Sequence, residues 1–319
     1  MSRINLSGDD VVRYVKESLV LILLLLNVVG CGSLKQVRFA AIGDTPYYDS
    51  DVELAFVSES LENMEANNIT FVVHIGDIFS GKTNCSRDLY ELRAGIFLKS
   101  PMPFLITIGD NEFSDCKDST KAQMLFREVI LNSPSVNDKV SGTNDAFEPL
   151  YVTRQSEMIE NAAWSYNGVH FIMLVLPDLP GNYPLDEHEL NKIIKANIDF
   201  LTKNFIKAKN DDSAAIVLMM HSNPRACYVQ GCDVFNNILF DEVKRYGKPV
   251  LLVNGSDHSR EFIDSDYMDI PGLSHLRPGS NPEESWPEII FDHQRNKFSV
   301  KWHESQDSVS TGVDSNSVF

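Results

Sequence analysis

The chain predicts a layered α/β fold with a largely parallel sheet core, antiparallel edge strands and flanking helices. Two observations predict it. Short apolar runs that end in Gly-Asp or His alternate with stretches of helical period, and two strand-like runs, the second with clear alternation, stand near the C-terminal end.

Val37-Arg38-Phe39-Ala40-Ala41-Ile42 is an apolar run suited to a buried strand, and it stops at Gly43-Asp44. From Asp51 to Ala66, Leu54, Val57, Leu61 and Met64 recur at helical spacing. The pattern repeats: Phe71-Val72-Val73-His74-Ile75 ends at Gly76-Asp77, Leu89, Leu92 and Ile96 mark a helix, and Phe104-Leu105-Ile106-Thr107-Ile108 ends at Gly109-Asp110. Strand, helix, strand, helix, strand with short connections implies parallel pairing through right-handed crossovers. Further strands are expected at His170 to Leu176, Ala214 to Met220, ending at His221, and Val250 to Val253, ending near His258, with a helix from Leu185 to Lys209. Ile289-Ile290-Phe291 and Phe298 to Trp302 read as antiparallel edge strands.

No Gly/Pro/Ser-rich or charge-rich stretch divides the 319 residues, so one main domain is expected over residues 31–304. Hydrophobic residues at 43% and charged residues at 23% suit a globular core. The net charge of -17, from 28 basic and 45 acidic residues, argues against sequence-independent nucleic-acid binding. It leaves an anionic small substrate open, because bound cations invert the local field. Residues 305–319 are polar and Ser/Asp-rich, and read as a flexible tail.

Residues 1–30 read as an export signal. Arg3, Arg13 and Lys16 precede an apolar run from Leu19 to Val29. The run falls short of the roughly 20 residues that a membrane span needs. Val28-Val29-Gly30-Cys31 resembles a bacterial lipobox, with Cys31 as the lipidated residue. A lipoprotein of the bacterial cell envelope is then expected, held to the membrane through Cys31 and facing the periplasm or exterior. Cys85, Cys116, Cys227 and Cys232 remain, an even number that allows three disulfide pairings in an oxidising compartment. Cys85 with Cys116 is favoured, because each follows a strand end, and Cys227 with Cys232 would close a short loop.

In open α/β sheets ligands bind beyond the carboxyl ends of the strands, so residues distant in sequence converge there. Here those ends carry Asp44, Asp77, Asp110, His221 and His258. Carboxylate oxygens and imidazole nitrogens suit Mn, Zn or Fe ions. The glycine before each aspartate is expected to let the chain turn sharply.

The blocks Gly43-Asp44-Thr45-Pro46, Gly76-Asp77-Ile78-Phe79, Gly109-Asp110-Asn111-Glu112, Met219-Met220-His221 and Gly255-Ser256-Asp257-His258 resemble, in order, the GD-x-H, GD-x-x, GN-H-E, lone-His and GH-x-H blocks of calcineurin-like metallophosphoesterases. The first and third resemble a bacterial subgroup with GDTPY and GDNE wordings. The resemblance runs from about Val37 to His258 and implies a metallophosphatase-like fold with two divalent or trivalent ions. It implies one ion on Asp44, Asp77 and His258, a second on Asp77, Asp110 and His221, and Asp77 shared. It further implies a phosphoester hydrolase acting on a small phosphorylated substrate, phosphomonoesterase favoured, with a hydroxide between ions about 3.5–4 Å apart as nucleophile.

Four positions depart from the family pattern. Pro46 and Ser256 stand where relatives have histidine ligands, Asp110 replaces an asparagine ligand, and Asn111 replaces the histidine credited with serving the leaving group. Asn111 and Asp77 are the expected catalytic residues, with activity biased toward good leaving groups or with the leaving group protonated by metal-bound water. Ser80 stands where purple acid phosphatases carry a tyrosine ligand, so a tyrosinate-bound ferric ion is not expected. His74 is expected to hydrogen-bond beneath the site, Asn161 and Trp164 to serve a strand pair structurally, and Tyr47 and Tyr48 to contact substrate or cover a core edge. Two other readings stand beside the hydrolase: a degenerate relative that binds without turnover, and a phosphodiesterase or nuclease.

Overall fold

The chain divides by its contacts into Met1–Lys35 and Gln36–Phe319. The computed structural model describes residues 36–47, 51–132, 137–179, 181–183, 185–227, 231–280 and 285–304, all within the second unit. Residues 1–30, read as an export signal, Cys31, Tyr48 and residues 305–319, read as a flexible tail, lie outside the described residues.

The first half runs β1 (Val37–Ile42), α1 (Asp51–Ala66), β2 (Val72–His74), α2 (Arg87–Phe97), β3 (Phe104–Ile106) and α3 (Ser119–Leu125), which continues into a π-helical turn (Phe126–Ile130). There follow β4 (Asn137–Val140), β5 (Leu150–Arg154), β6 (Ala162–Tyr166), β7 (Val169–Met173), α4 (Glu187–Asn210) and β8 (Ala215–Met219). The chain then forms α5 (Cys232–Tyr246), β9 (Val250–Val253), β10 (Arg260–Ile263), β11 (Leu273–Pro278), β12 (Ser285–Asp292) and β13 (Lys297–Glu304). Helix α1 has the bounds that its apolar spacing predicts. Helix α4 carries Glu187 and Glu189 in its first turn and Lys207 and Lys209 in its last, matching the helix dipole, and Asp186 caps its start.

The strands form two sheets. One has the order β13-β12-β1-β2-β3, the other β10-β11-β9-β8-β7-β6-β5-β4. Pairing is parallel through β1-β2-β3 and through β11-β9-β8-β7, and antiparallel elsewhere. The C-terminal hairpin differs from expectation: only β13 is an edge, because β12 pairs with β1 as well.

Alternation along β1 explains the layering. Val37, Phe39 and Ala41 enter an apolar core shared by both sheets, whereas Ala40 and Ile42 pack with Leu61 and Met64 of α1. In the inter-sheet core Phe39 stacks on Phe71 at 5.3 Å, and Trp164 stacks on Phe171 at 5.1 Å. Each fully buried side chain of this size contributes about 1.5–3 kcal/mol. A third cluster seats α4 and α5 on the outer face of the eight-stranded sheet. The result is helix, sheet, sheet, helix, with strand ends of both sheets at one rim. Among the described residues no helix is long and apolar enough to cross a membrane.

Candidate metal centre

Backbone hydrogen bonds tie the strand exits together. Asp44 N–H donates to Gly76 O at 2.9 Å, Gly255 N–H to His221 O at 2.8 Å, and Met220 N–H to Val253 O at 3.1 Å. Asp44, Asp77 and His221, all buried, each offer a ligand atom, and these atoms lie within 4.8 Å of one another. Nε2 of His221 is 2.9 Å from Asp110 Oδ1 and 3.5 Å from Asp77 Oδ1. His258 reaches the group from the rim: Nε2 is 3.5 Å from Asp44 Oδ1, and its side chain is 43% exposed. The five expected residues thus meet in space, with Asp44, Asp77 and His221 buried, Asp110 mostly buried beside them and His258 at the opening.

The backbone at these exits is unusual in a consistent way. Asp44 (φ 54°), Asp77 (φ 60°), Ser256 (φ 74°) and His258 (φ 59°) are left-handed. Non-glycine residues take that region at a cost, and it concentrates at functional sites. Of the three glycines before the aspartates only Gly76 has positive φ, so turning is not the reason for the other two. A Cβ on Gly109 would lie 2.2 Å from Asp77 Oδ1, and one on Gly43 would lie 2.4 Å from Ile75 Cγ1. Those glycines permit close approach of neighbouring loops.

The first neighbours of the ligand atoms orient them. His221 Nδ1 bonds to Ile75 O at 2.8 Å, so Nδ1 carries the proton and Nε2 faces the carboxylates. The buried Glu112 carboxylate accepts from the N–H groups of Gly109 (2.7 Å), Asp77 (3.1 Å) and Ile78 (3.3 Å). Burial pushes its pKa up to about 7, against those donors. Asn111 N–H donates to Asp77 Oδ1 at 3.1 Å.

The donors fit a divalent cation. Both carboxylate oxygens of Asp44, Oδ1 of Asp110 and Nε2 of His221 are buried without a directional hydrogen bond, although they face one another. Uncompensated buried acceptors are costly, and a cation between them removes that cost. Burial pushes Asp44 up to about 6 and raises Asp77 well above the usual carboxylate range. Burial opposes charge on His221, but Asp77, Asp110 and Asp44 outweigh it and raise its pKa well above the usual value. Without a cation, a proton on His221 partly neutralises the cluster.

Two of the positions that depart from the resembled pattern, Ser256 and Asn111, have local hydrogen-bond partners. The Thr45-Pro46 peptide is cis. Ser256 Oγ donates to the carboxylate of Asp178, a residue beyond the end of β7. Asn111 Nδ2 donates to Tyr47 Oη at 3.1 Å, and the Tyr47 ring stands edge-on to His258 at 5.2 Å. Ser80 N–H donates to Tyr47 O, which holds the first loop against the second.

His74 lies beneath the site as expected: Nε2 bonds to Thr45 O at 2.6 Å and Nδ1 accepts from Gly76 N–H at 3.1 Å. Burial lowers its pKa to about 4, so it stays neutral. Asn161 bonds to Gln155, Asn197 and Val175, and Trp164 lies in the inter-sheet core, so both are structural. The disulfides are Cys85–Cys116 and Cys227–Cys232, the favoured pairing.

Two residues escaped sequence reasoning. Glu112 had a visible signal, since it closes the Gly109-Asp110-Asn111-Glu112 block. Asp178 had only its position after an apolar strand.

No protein-family model matches the chain, and no curated protein matches its sequence. Among solved structures it is similar to a purple acid phosphatase from yellow lupin (Lupinus luteus) seeds, at 12% identity and a TM-score of 0.52, over 86% of this chain and 52% of that one. The chain thus spans about half the length of the lupin enzyme. A dimetal phosphatase from Danio rerio aligns at 11% identity and a TM-score of 0.48, over 83% of this chain and 99% of that one. A protein of Thermus thermophilus aligns at 11% identity and a TM-score of 0.45, over 84% and 99%. At such identity the lupin likeness bears on the fold: the expected layered architecture is shared with a purple acid phosphatase.

Proposed function

We propose that this chain is a metal-dependent phosphoester hydrolase, acting first on phosphomonoesters. One observation carries the reading: Asp44, Asp77 and His221 place buried ligand atoms within 4.8 Å of one another on a fold shared with a purple acid phosphatase. Asp44, Asp77 and His258 would hold one ion, and Asp77, Asp110 and His221 a second. Mn, Zn or Fe all match the donor set.

Bound ions would polarise a phosphoryl oxygen and make water acidic enough to attack phosphorus near neutral pH. The chain's own residues supply orientation. The Ile75 carbonyl aims Nε2 of His221 into the site, and the Asn111 N–H fixes one oxygen of Asp77. Asn111 Nδ2 and Tyr47 Oη form a polar pair beside Asp77, suited to meeting charge that develops on the phosphoryl and leaving oxygens. Asn111 cannot give up a proton as a histidinium does, which supports a preference for good leaving groups.

The test is a phosphoester panel of graded leaving-group pKa, assayed with Mn, Zn and Fe alongside metal analysis. Hydrolysis that needs metal and falls steeply with leaving-group basicity is expected. Asn111→His should flatten that dependence while bound metal stays constant. Tight binding of fewer than one metal equivalent with no hydrolysis would favour a ligand-binding role, a reading motivated by Pro46, Ser256 and the exposed His258. Location in the cell envelope, with Cys31 lipidated ahead of a domain over residues 31–304, is part of the proposal and rests on the leader and Cys31. Mass spectrometry of the protein purified from membranes tests it.

A further inference from the structure

Beside the candidate metal centre lies a cavity of about 750 Å³, walled by the Gly81 to Cys85 loop and by the chain from Asp115 to Ala122. The buried Asn111 lies between the two: its N–H meets Asp77, and its carbonyl oxygen faces the sulfurs of Cys85 and Cys116, which line the cavity. A Cβ added to Gly81 would lie 2.4 Å from Asn111 Oδ1 and 2.3 Å from Asp115 Oδ2, so only glycine lets this wall close on Asn111. The sulfurs of Cys85 and Cys116 lie 3.8 and 3.4 Å from the Asn111 carbonyl oxygen, and their disulfide ties the two walls together behind it.

Lys82, Lys117 and Lys121 line this cavity and are exposed. Among the described residues none of the three has an ion pair, in a chain with 45 acidic residues to offer. Elsewhere Lys195, Lys207, Lys248 and Lys297 each meet a carboxylate within 3.3 Å, whereas Lys192 and Lys203 on α4 are also without an ion pair among the described residues. What sets Lys82, Lys117 and Lys121 apart is therefore their shared place beside the candidate metal centre. The two carboxylates at the cavity are otherwise engaged. Asp115 accepts from the backbone and side-chain nitrogens of Asn182, both at 2.6 Å, and Asp118 accepts from the Lys121 N–H at 2.9 Å. Three ammonium groups against two engaged carboxylates leave a local excess of positive charge on a chain of net charge -17. Lysine ammonium groups suit phosphate and carboxylate alike. A cavity of this size accommodates a small organic molecule.

We infer that this cavity receives the leaving-group portion of an organic phosphate, and that this portion carries a second anionic group, a phosphate or a carboxylate. The assignment of the leaving-group side rests on the proposed function, because it follows from the place of Asn111. Exposed ion pairs are individually weak, so the three lysines together should give a preference of about tenfold.

The test uses three linear six-carbon esters with the same reacting end: glucitol 6-phosphate, 6-phosphogluconate and glucitol 1,6-bisphosphate. Binding to the metal-loaded protein is measured by calorimetry, and hydrolysis is measured separately. The wild type should bind at least one of the latter two about tenfold more tightly than glucitol 6-phosphate, and the better of the two identifies the second anion. The triple variant Lys82→Gln, Lys117→Gln, Lys121→Gln should lose that preference while its affinity for glucitol 6-phosphate is unchanged. A control with the same charge change on α4, Lys192→Gln, Lys195→Gln, Lys203→Gln, should keep it.

Equal affinity for all three esters, no binding of any, or a preference that survives in the cavity variant overturns the inference, as does equal loss in the control. Preferential binding without hydrolysis would sustain the cavity and remove the catalytic reading. Hydrolysis without preference would do the reverse.

Discussion

The Nδ1–H of His221 donates to the carbonyl oxygen of Ile75 over 2.8 Å. His221 follows a strand of the eight-stranded sheet and Ile75 a strand of the five-stranded one, so this bond links the two sheets at the rim where the carboxylates gather. It also chooses the tautomer, leaving Nε2 as the atom that meets a cation.

Asp77→Asn should abolish binding of both ions yet stabilise the metal-free protein. Burial raises the Asp77 pKa against the opposing attraction of His221, and Asp110, Glu112 and Asp44 add to the rise, so the net shift is upward. A carboxyl whose folded pKa exceeds its unfolded value loses stability as pH rises through that interval, so at pH 7 the charge is a net cost. The neutral amide removes the charge and keeps an oxygen for the Asn111 N–H. A higher melting temperature than wild type in chelator, with metal lost by elemental analysis, is expected; retained metal or a lower melting temperature contradicts it.

Metal affinity should fall with decreasing pH. The site must shed the proton on His221, and below about 6 Asp44 takes one up as well. Each proton displaced weakens binding about tenfold per pH unit. Calorimetric titration of the metal-free protein with Zn or Mn in two buffers of different ionisation enthalpy counts the protons released. One or more per ion bound is expected at pH 7, and none would contradict the charge state given to His221.

Gly109→Ala should disable the site through packing alone. The added methyl falls on the Asp77 carboxylate and within 2.5 Å of its backbone nitrogen, where only backbone movement can relieve the contact. Overpacking of this kind costs about 1–3 kcal/mol. Denaturant unfolding should show that loss, and bound metal should fall with it. Gly95→Ala, inside α2 with nothing within 4 Å of the new atom, is the control: it should gain about 0.5–1 kcal/mol and keep its metal.

The two disulfides should differ in weight. Cys85–Cys116 spans 31 positions and Cys227–Cys232 spans 5, so chain entropy assigns about 3–4 kcal/mol to the first and about 2 kcal/mol to the second. Replacing both cysteines of each pair with serine and comparing unfolding free energies checks the order. Loss of Cys85–Cys116 should also lower the turnover of activated phosphoesters, because its sulfurs pack against Asn111.

Local signals carried much of this far. Apolar runs, most of them stopping at Gly-Asp or His, marked β1, β2, β3, β7, β8 and β9, because a strand buried on both faces must be apolar throughout and must leave the sheet at a polar residue. Leu54, Val57, Leu61 and Met64 marked α1 because one helical face has to be buried. The strands β4, β5, β6, β10 and β11 were less legible: their alternation is short, and a strand is defined by partners distant in sequence. The division into two sheets had no local trace, since Phe39 and Phe171, which meet across it at 5.4 Å, each read only as a buried aromatic.

By itself the sequence determined which residues could ligate a cation and on which strand ends they stand, because residue type and strand exit are local properties. Tertiary structure alone decided that Asp44, Asp77 and His221 are buried together while His258 stands at the rim. It decided that Glu112 braces three backbone N–H groups, that Ser256 answers to Asp178, and that Lys82, Lys117 and Lys121 face one cavity without carboxylate partners among the described residues. Burial, hydrogen-bond geometry and the pairing of charges depend on the approach of segments many residues apart, which the packing of two sheets brings about and no stretch of chain contains.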